Sequence, residues 1–199
     1  MKITVAITGA SGAVYGVSLL EYLLKEKHKV NLILSPEARL IVHEELGVSW
    51  GSCYSETAEL LKKRYPDTDL VYCNETDMTA PIASGSHPID AMVVAPCSMK
   101  VIAAIAHGLS SNLIERAADV TLKERRPLIL VPRETPLSSI HLANMLTLSK
   151  MGVWIIPAMP AFYNHPKTIE DMVGFIVGRV LDRLGIANQT YTRWKEEIT

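Results

Sequence analysis

Apolar residues along this chain follow two rhythms in turn: short unbroken runs that read as buried strands, and i, i+3, i+4 spacings that read as helices. Ile3 to Ile7 is a β-branched run stopped by Gly9, and Tyr15, Leu19, Leu20, Leu23 and Leu24 follow at helical spacing. Val30 to Leu34 repeats the strand signal up to Ser35-Pro36, after which Leu40, Ile41 and His43 to Leu46 predict a helix before Gly47. The stretch from 48 to 69 is more polar, with a helix expected from Glu56 to Tyr65 and a turn from Pro66 to Asp69. Ala91 to Ala95 is a buried-strand run closed by Pro96, Val101 to Ala106 and Asn112 to Glu124 read as helices, and Leu128 to Val131 is the next strand. Pro136 is expected to start a helix through Leu137 to Lys150 that Gly152 ends. Val153 to Ile156 then predicts a further strand and Ile169 to Leu184 a final amphipathic helix. Such alternation implies an α/β fold: a doubly wound parallel sheet with helices on both faces.

No internal repeat, low-complexity tract or long linker divides the sequence, so residues 1–199 are read as one domain. The tail from Ile186 to Thr199 has no periodicity, yet it carries Tyr191, Arg193 and Trp194 and is expected to dock on a neighbouring subunit. The chain is 48% apolar and 6% aromatic, which excludes a disordered or collagen-like protein. At 199 residues one core buries about 70% of the unfolded chain's surface, so neither disulfides nor a structural metal are needed. A formal net charge of -1 argues against nucleic-acid or anionic-membrane binding through a global positive field. Cys53, Cys73 and Cys97 show no CxxC or Cys/His ligand pattern, which fits a reducing compartment. The apolar start, Ile3 to Thr8, is too short for a signal-peptide core, and no window reaches ~18 uninterrupted apolar residues. A cytoplasmic location is expected.

The sharpest local signal is Thr8-Gly9-Ala10-Ser11-Gly12-Ala13-Val14-Tyr15-Gly16, between the first strand and the first helix. Glycines let the backbone approach a ligand, free N–H groups at a helix start attract an anion, and the Ser11 hydroxyl adds a donor. The alternative is a turn whose glycines serve only strand-helix packing. The glycines do not match GxGxxG, the second strand ends in Ser35 rather than an acidic residue, and no GK[ST] follows. A mononucleotide therefore fits this turn better than a dinucleotide or ATP. Beyond the carboxyl ends of the other strands lie Ser35, then Cys97-Ser98-Met99-Lys100, then Arg133-Glu134, and last Tyr163. Ser98 is either a second anion-binding helix start or an ordinary N-cap. Arg133 follows an apolar strand and Pro132, which favours an anion-binding role, and Glu134 could orient it or exchange protons with bound phosphate. Glu45 reads as a helix-surface carboxylate or a general base, and the histidines show no ligand spacing. Ala80 to Pro88 is a small-residue loop of the kind that lines sites.

Taken together, TGASGAVYG at 8 to 16, ASGS at 83 to 86, PCSMK at 96 to 100, NLIERAADVTLKERRPLILVPRETPLSSIHLANM at 112 to 145 and PAFYNHP at 160 to 166 give nearly the whole chain a resemblance to the UbiX-like flavin prenyltransferases. The resemblance implies a Rossmann-like (flavodoxin-like) flavoprotein. Such a protein attaches a dimethylallyl group from dimethylallyl monophosphate to nitrogen five and carbon six of reduced FMN, for use by a UbiD-like decarboxylase. By the same resemblance Gly9, Ala10, Ser11, Ser35, Ser98, Met99, Lys100, Val101 and Arg133 would bind FMN. Lys123, Glu134, Tyr163 and Arg179, with Ser84 and Arg116, would hold the prenyl phosphate, partly across subunit contacts, and Trp194 would face the allylic cation. Glu45 corresponds to a carboxylate that assists proton removal, with Ser11 as its relay and Glu134 as a further catalytic group. A homo-oligomer of trimers assembled into a dodecamer is implied as well.

No DDxxD-like magnesium-diphosphate motif occurs, so a metal-free reaction is expected. Met78 stands where many relatives carry an aromatic residue ahead of the ASGS loop. Two other functions compete with this one. A flavin-dependent decarboxylase of the phosphopantothenoylcysteine type shares an Asn-Leu element like Asn112-Leu113 but needs a catalytic helix histidine. A non-catalytic flavin carrier would keep the FMN residues and dispense with Glu134 and Lys123.

Overall fold

A computed structural model describes residues 1–195; the end of the tail, 196–199, lies outside the described residues. The chain runs β1 (Lys2–Ile7), α1 (Ala13–Lys25), β2 (Lys29–Leu34), α2 (Pro36–Leu46), α3 (Tyr54–Arg64), β3 (Leu70–Cys73), β4 (Ala91–Cys97), α4 (Met99–Ala106), α5 (Leu113–Lys123), β5 (Leu128–Pro132), α6 (Ser139–Lys150), β6 (Trp154–Ile155) and α7 (Ile169–Arg183). All pairings are parallel, in the order β3-β2-β1-β4-β5-β6. This is the Rossmann-like doubly wound sheet that the alternation predicts.

Alternation of side chains across the pleat divides the core in two. Ile3, Val5 and Ile7 face a cluster built with Leu20 and Leu23 of α1 and Val173, Ile176 and Val180 of α7. Ala6, Met92 and Val94 face the other, built with Ile102 of α4 and Leu113, Ala117 and Ala118 of α5. Both faces of β4 and β5 are covered, which is why these strands read as unbroken apolar runs.

The main differences from the sequence expectation concern three prolines and one strand. Pro96 does not close β4. The strand continues to Cys97 through a register shift between Val94 and Cys97, the irregular position at which a sheet tolerates proline. Pro136 does not start α6 either, because Ser138 makes the better cap. Its hydroxyl accepts from His141 N at 3.2 Å while His141 Nδ1 accepts from Ser138 N at 3.3 Å. Pro36, by contrast, is the first residue of α2, with Ser35 as its N-cap. Edge strand β3 carries no clear sequence signal, being only four residues long with Val71 52% exposed.

Gly16 decides how closely α1 lies on the sheet. A Cβ there would collide with the Ala95 carbonyl oxygen of β4 and stand 2.9 Å from Ile7 Cγ1 of β1. We expect Gly16→Ala to lower unfolding free energy by about 3 kcal/mol through overpacking, measured by urea denaturation.

Candidate functional site

Strand order reverses between β1 and β4, and in such sheets ligands bind beyond the carboxyl ends at that point. One buried hydroxyl joins the two ends. Thr8 Oγ1 donates to Pro96 O at 2.8 Å and accepts from Ser98 N at 2.9 Å, so the loop after β1 and the start of α4 share one support. Ser35 is drawn in by its own N–H, which donates to Ile7 O at 3.0 Å, and its hydroxyl caps α2 by accepting from Ala38 N. Ser98 likewise caps α4, accepting from Val101 N at 3.4 Å.

Between these ends lies a cavity of about 350 Å³, lined by Thr8 and by Gly9, Ser35, Ser98, Lys100 and Val101 of the predicted set. It also contains residues that sequence reasoning missed: Glu37, Glu75, Asn112, Ile114 and Glu115. These come from three separate segments, and only folding brings them together. Burial and then the Glu37 carboxylate push Glu75 above the ordinary carboxyl range. Glu37 is held below that range by a backbone N–H and the Ser35 hydroxyl. Glu115 is buried and accepts from Ser111 N at 2.7 Å and Asn112 Nδ2 at 3.2 Å. The cavity thus offers one ammonium, three carboxyl groups and several hydroxyl and N–H donors.

The first glycine turn differs from its sequence reading. The N–H groups that open α1 are not free. Gly12 N donates to both oxygens of Glu45, at 2.9 and 3.1 Å, and Ala13 N donates to Oε2 at 2.8 Å. Glu45 is therefore neither an idle surface charge nor remote from Ser11: its carboxylate fills the anion position at the helix start. Gly12 is needed for the turn itself, at φ +100°. Arg133 reaches the same turn, its Nε donating to Ser11 O at 3.1 Å. Glu134 does not orient Arg133. It folds onto its own backbone, Oε1 accepting from Thr135 N at 3.0 Å.

The remaining predicted residues form two further groups. Arg116 Nε donates to Ala83 O at 3.0 Å and its NH1 pairs with Asp119 at 2.9 Å. Arg126 donates to Gly85 O at 2.8 Å and His87 O at 3.1 Å, so two guanidiniums clamp the small-residue loop. Ser84 Oγ lies 2.9 Å from Ser86 Oγ, and Lys123 pairs with Glu124 at 2.8 Å beside Gly85. Helix α5 starts at the carboxyl edge of the sheet and runs about 16 Å toward the amino edge, which carries Lys123 away from Ser98 of its own chain. In the third group, Tyr163 packs edge-on against Trp194, with centroids 5.1 Å apart, and against Phe175 at 6.0 Å. Arg179 lies 4.0 Å from Asp182 on α7. The tail, up to residue 195, lies along α7 of its own chain, anchored through Tyr191 and Arg193 on Asp182.

Comparison with known proteins places this geometry. The Flavoprotein family model matches residues 1–181. A flavin prenyltransferase UbiX of Methanocaldococcus jannaschii is 51% identical over 194 residues, which cover 98% of each chain. The chain belongs to the UbiX flavin prenyltransferase family. Among solved UbiX-like structures, a dodecameric FMN-dependent protein of Escherichia coli O157:H7, described as a decarboxylase, superposes with a TM-score of 0.88 at 45% identity, covering 98% of this chain and 100% of that one. AnUbiX, solved in complex with FMN and dimethylallyl pyrophosphate, gives a TM-score of 0.88 at 41% identity and covers 98% of both chains. A PPC decarboxylase, at 18% identity and a TM-score of 0.54 over 80% of this chain and 82% of that one, shares the fold alone. Among the described residues of this UbiX family member no helix is long and apolar enough to cross a membrane, and no group of three His, Cys, Asp or Glu side chains is placed to hold a metal ion.

Two outcomes follow from these contacts. Thr8→Val keeps the side chain's shape but strips Ser98 N–H and Pro96 O of a buried partner; it should cost roughly 2–4 kcal/mol in a urea titration. Asp182 sets a pH limit. Burial alone would raise its carboxyl, but hydrogen bonds from Arg193, Tyr191 and Asn188 outweigh burial and hold it down at about 2. The unfolded value is the ordinary 3.8, so the stabilisation is complete above that value and is lost as pH falls toward 2. Thermal melts between pH 6 and 2 should show this loss, and Asp182→Asn should flatten it.

Proposed function

We propose that this chain joins the dimethylallyl group of dimethylallyl monophosphate to nitrogen five and carbon six of reduced FMN, giving prenylated FMN without a metal ion. The observation that carries the proposal is the cavity at the β1/β4 switch point, on which the ends of β1, β2 and β4 converge in a family of flavin prenyltransferases. Its donor set fits FMN. Lys100, the Ser35 and Ser98 hydroxyls and the starts of α2 and α4 suit a phosphate monoester, while Glu37, Glu75 and Glu115 offer acceptors to ribityl hydroxyls. Gly9, Ala10, Ser11, Met99, Val101 and Arg133 complete the flavin-binding set.

Reduced FMN supplies the two nucleophilic ring positions when bound. Departure of phosphate from the allylic ester leaves negative charge on an oxygen and positive charge on the prenyl carbons, and both need support. Lys123, Arg179 and Tyr163 take the anion, with Glu134, Ser84 and Arg116 beside them, and Trp194 offers π density to the cation. Glu45, held beside Ser11 by the N–H groups of Gly12 and Ala13, accepts a proton that Ser11 relays.

Because Lys123 and Ser84 stand off the carboxyl edge that bears Ser98, we assign them to the site of a neighbouring subunit. The E. coli relative is dodecameric, and the same trimer-based assembly, with the tail contributing to subunit contacts, is our proposal for this chain. The single unit 1–199 would act in the cytoplasm, in keeping with its free cysteines, and pass its product to a UbiD-like decarboxylase.

Anaerobic incubation with reduced FMN and dimethylallyl monophosphate, followed by mass spectrometry of the extracted flavin, tests the reading. The expected product is heavier by one C5H8 unit. Lys123→Ala should lower the yield at least about a hundredfold while FMN affinity stays the same. Unmodified flavin from the wild type with both mono- and diphosphate donors would sink the transferase assignment in favour of a decarboxylase or carrier.

A further inference from the structure

Asp182 is a half-buried charge that stands outside the flavin cavity. Asp182 stands in the last turn of α7, where a negative charge opposes the helix dipole, and its side chain is only 19% exposed. Within the helix Arg179, at 4.0 Å, offsets part of that cost. Its contacts explain it. Oδ1 accepts from Arg193 NH2 at 2.7 Å and Asn188 Nδ2 at 2.9 Å; Oδ2 accepts from the Tyr191 hydroxyl at 2.6 Å and Arg193 NH1 at 3.0 Å. Asn188 in turn accepts from Thr190 Oγ1 at 2.8 Å. Every one of these donors lies in the tail beyond α7.

The helix is shaped to receive that tail. A Cβ on Gly174 would stand 2.6 Å from Thr190 O, and a Cβ on Gly178 would collide with Thr190 Oγ1 and the Tyr191 ring. With the tail seated, edge-on contacts run from Tyr191 to Phe175 at 5.1 Å, from Phe175 to Tyr163 at 6.0 Å and from Tyr163 to Trp194 at 5.1 Å. The Tyr191 hydroxyl also meets Arg179. Asp182 thus connects with three of the side chains assigned above to the prenyl donor, while it does not line the flavin cavity.

We propose that Asp182 is a positioning residue for the prenyl donor: by clasping residues 188–193 onto α7 it sets Arg179, Tyr163 and Trp194 in place. The inference rests on the prenyl-transfer reading. Its test uses the full chain and the mass-spectrometric assay with varied dimethylallyl monophosphate. Asp182→Asn should raise KM for that donor about tenfold, change kcat by less than about threefold and leave FMN affinity, read by flavin fluorescence, unaltered. Asp182→Glu, which restores the charge, should recover most of the KM. Trypsin cleavage after Arg193, whose guanidinium is held by Asp182, should run about tenfold faster in Asp182→Asn.

An unchanged KM alongside faster cleavage would overturn the proposal. So would a joint fall of kcat, donor affinity and FMN affinity, which marks general loss of structure. If Asp182→Asn does not fold, Tyr191→Phe carries the test, since it removes one O–H and keeps the ring; KM should rise about threefold, and no rise overturns the clasp. A wild type that transfers no prenyl group defeats the underlying reading, and the trypsin comparison still decides whether Asp182 holds the tail.

Discussion

The Thr8 hydroxyl is the smallest part of this structure on which the most depends. In a parallel sheet the two strands at the switch point diverge into different loops, and nothing in the strand ladder ties those loops together. Thr8 does so by donating to Pro96 and accepting from Ser98, in a place where it is 1% exposed and water cannot substitute. The Pro96 carbonyl that it meets lies where the β4–β5 register shifts, between Val94 and Cys97. From this link follow the position of α4, the aim of its first turn and the width of the cavity.

A second constraint is electrostatic. Two helix starts converge near the same cavity, and both attract anions. A third, at α1, already holds the Glu45 carboxylate. Burial and then the nearby Glu37 carboxylate raise Glu75, while hydrogen bonds from a backbone N–H and the Ser35 hydroxyl keep Glu37 low. One ammonium, Lys100, shares the cavity with three acids, so an anionic group is favoured beside Lys100 and the helix starts and hydroxyl donors beside the carboxyl groups.

The surface along α7 is organised by aromatic edges and arginines rather than by helix starts. Tyr163 lies in an irregular segment between β6 and α7, with no ladder to hold it, and its place comes from Phe175 and Trp194. Gly174 and Gly178 make room for the tail, and Asp182 keeps it there. The small-residue loop at 83 to 87 is fixed in a comparable way, by Arg116 and Arg126 donating to its carbonyl groups.

The strand-helix alternation, the parallel sheet, the glycine turn and the family were legible along the chain, because apolar period, caps and long motifs are local properties. Buried strands β1, β2, β4 and β5 were legible as unbroken runs; exposed β3 was not, since an edge strand of four residues has no alternation to display. Proline misled twice, at Pro96 and Pro136, where a bulge and a better serine cap prevailed over its usual meaning. Folding alone brought Glu45 to the start of α1, Glu37, Glu75 and Glu115 into one cavity with Lys100, Arg126 to the carbonyl group of Gly85, and Asp182 to the tail. Each of these is a contact between segments distant in sequence. A charged side chain carries no sign of its partner until the chain has brought the two together, whereas a buried strand announces its burial in its own composition.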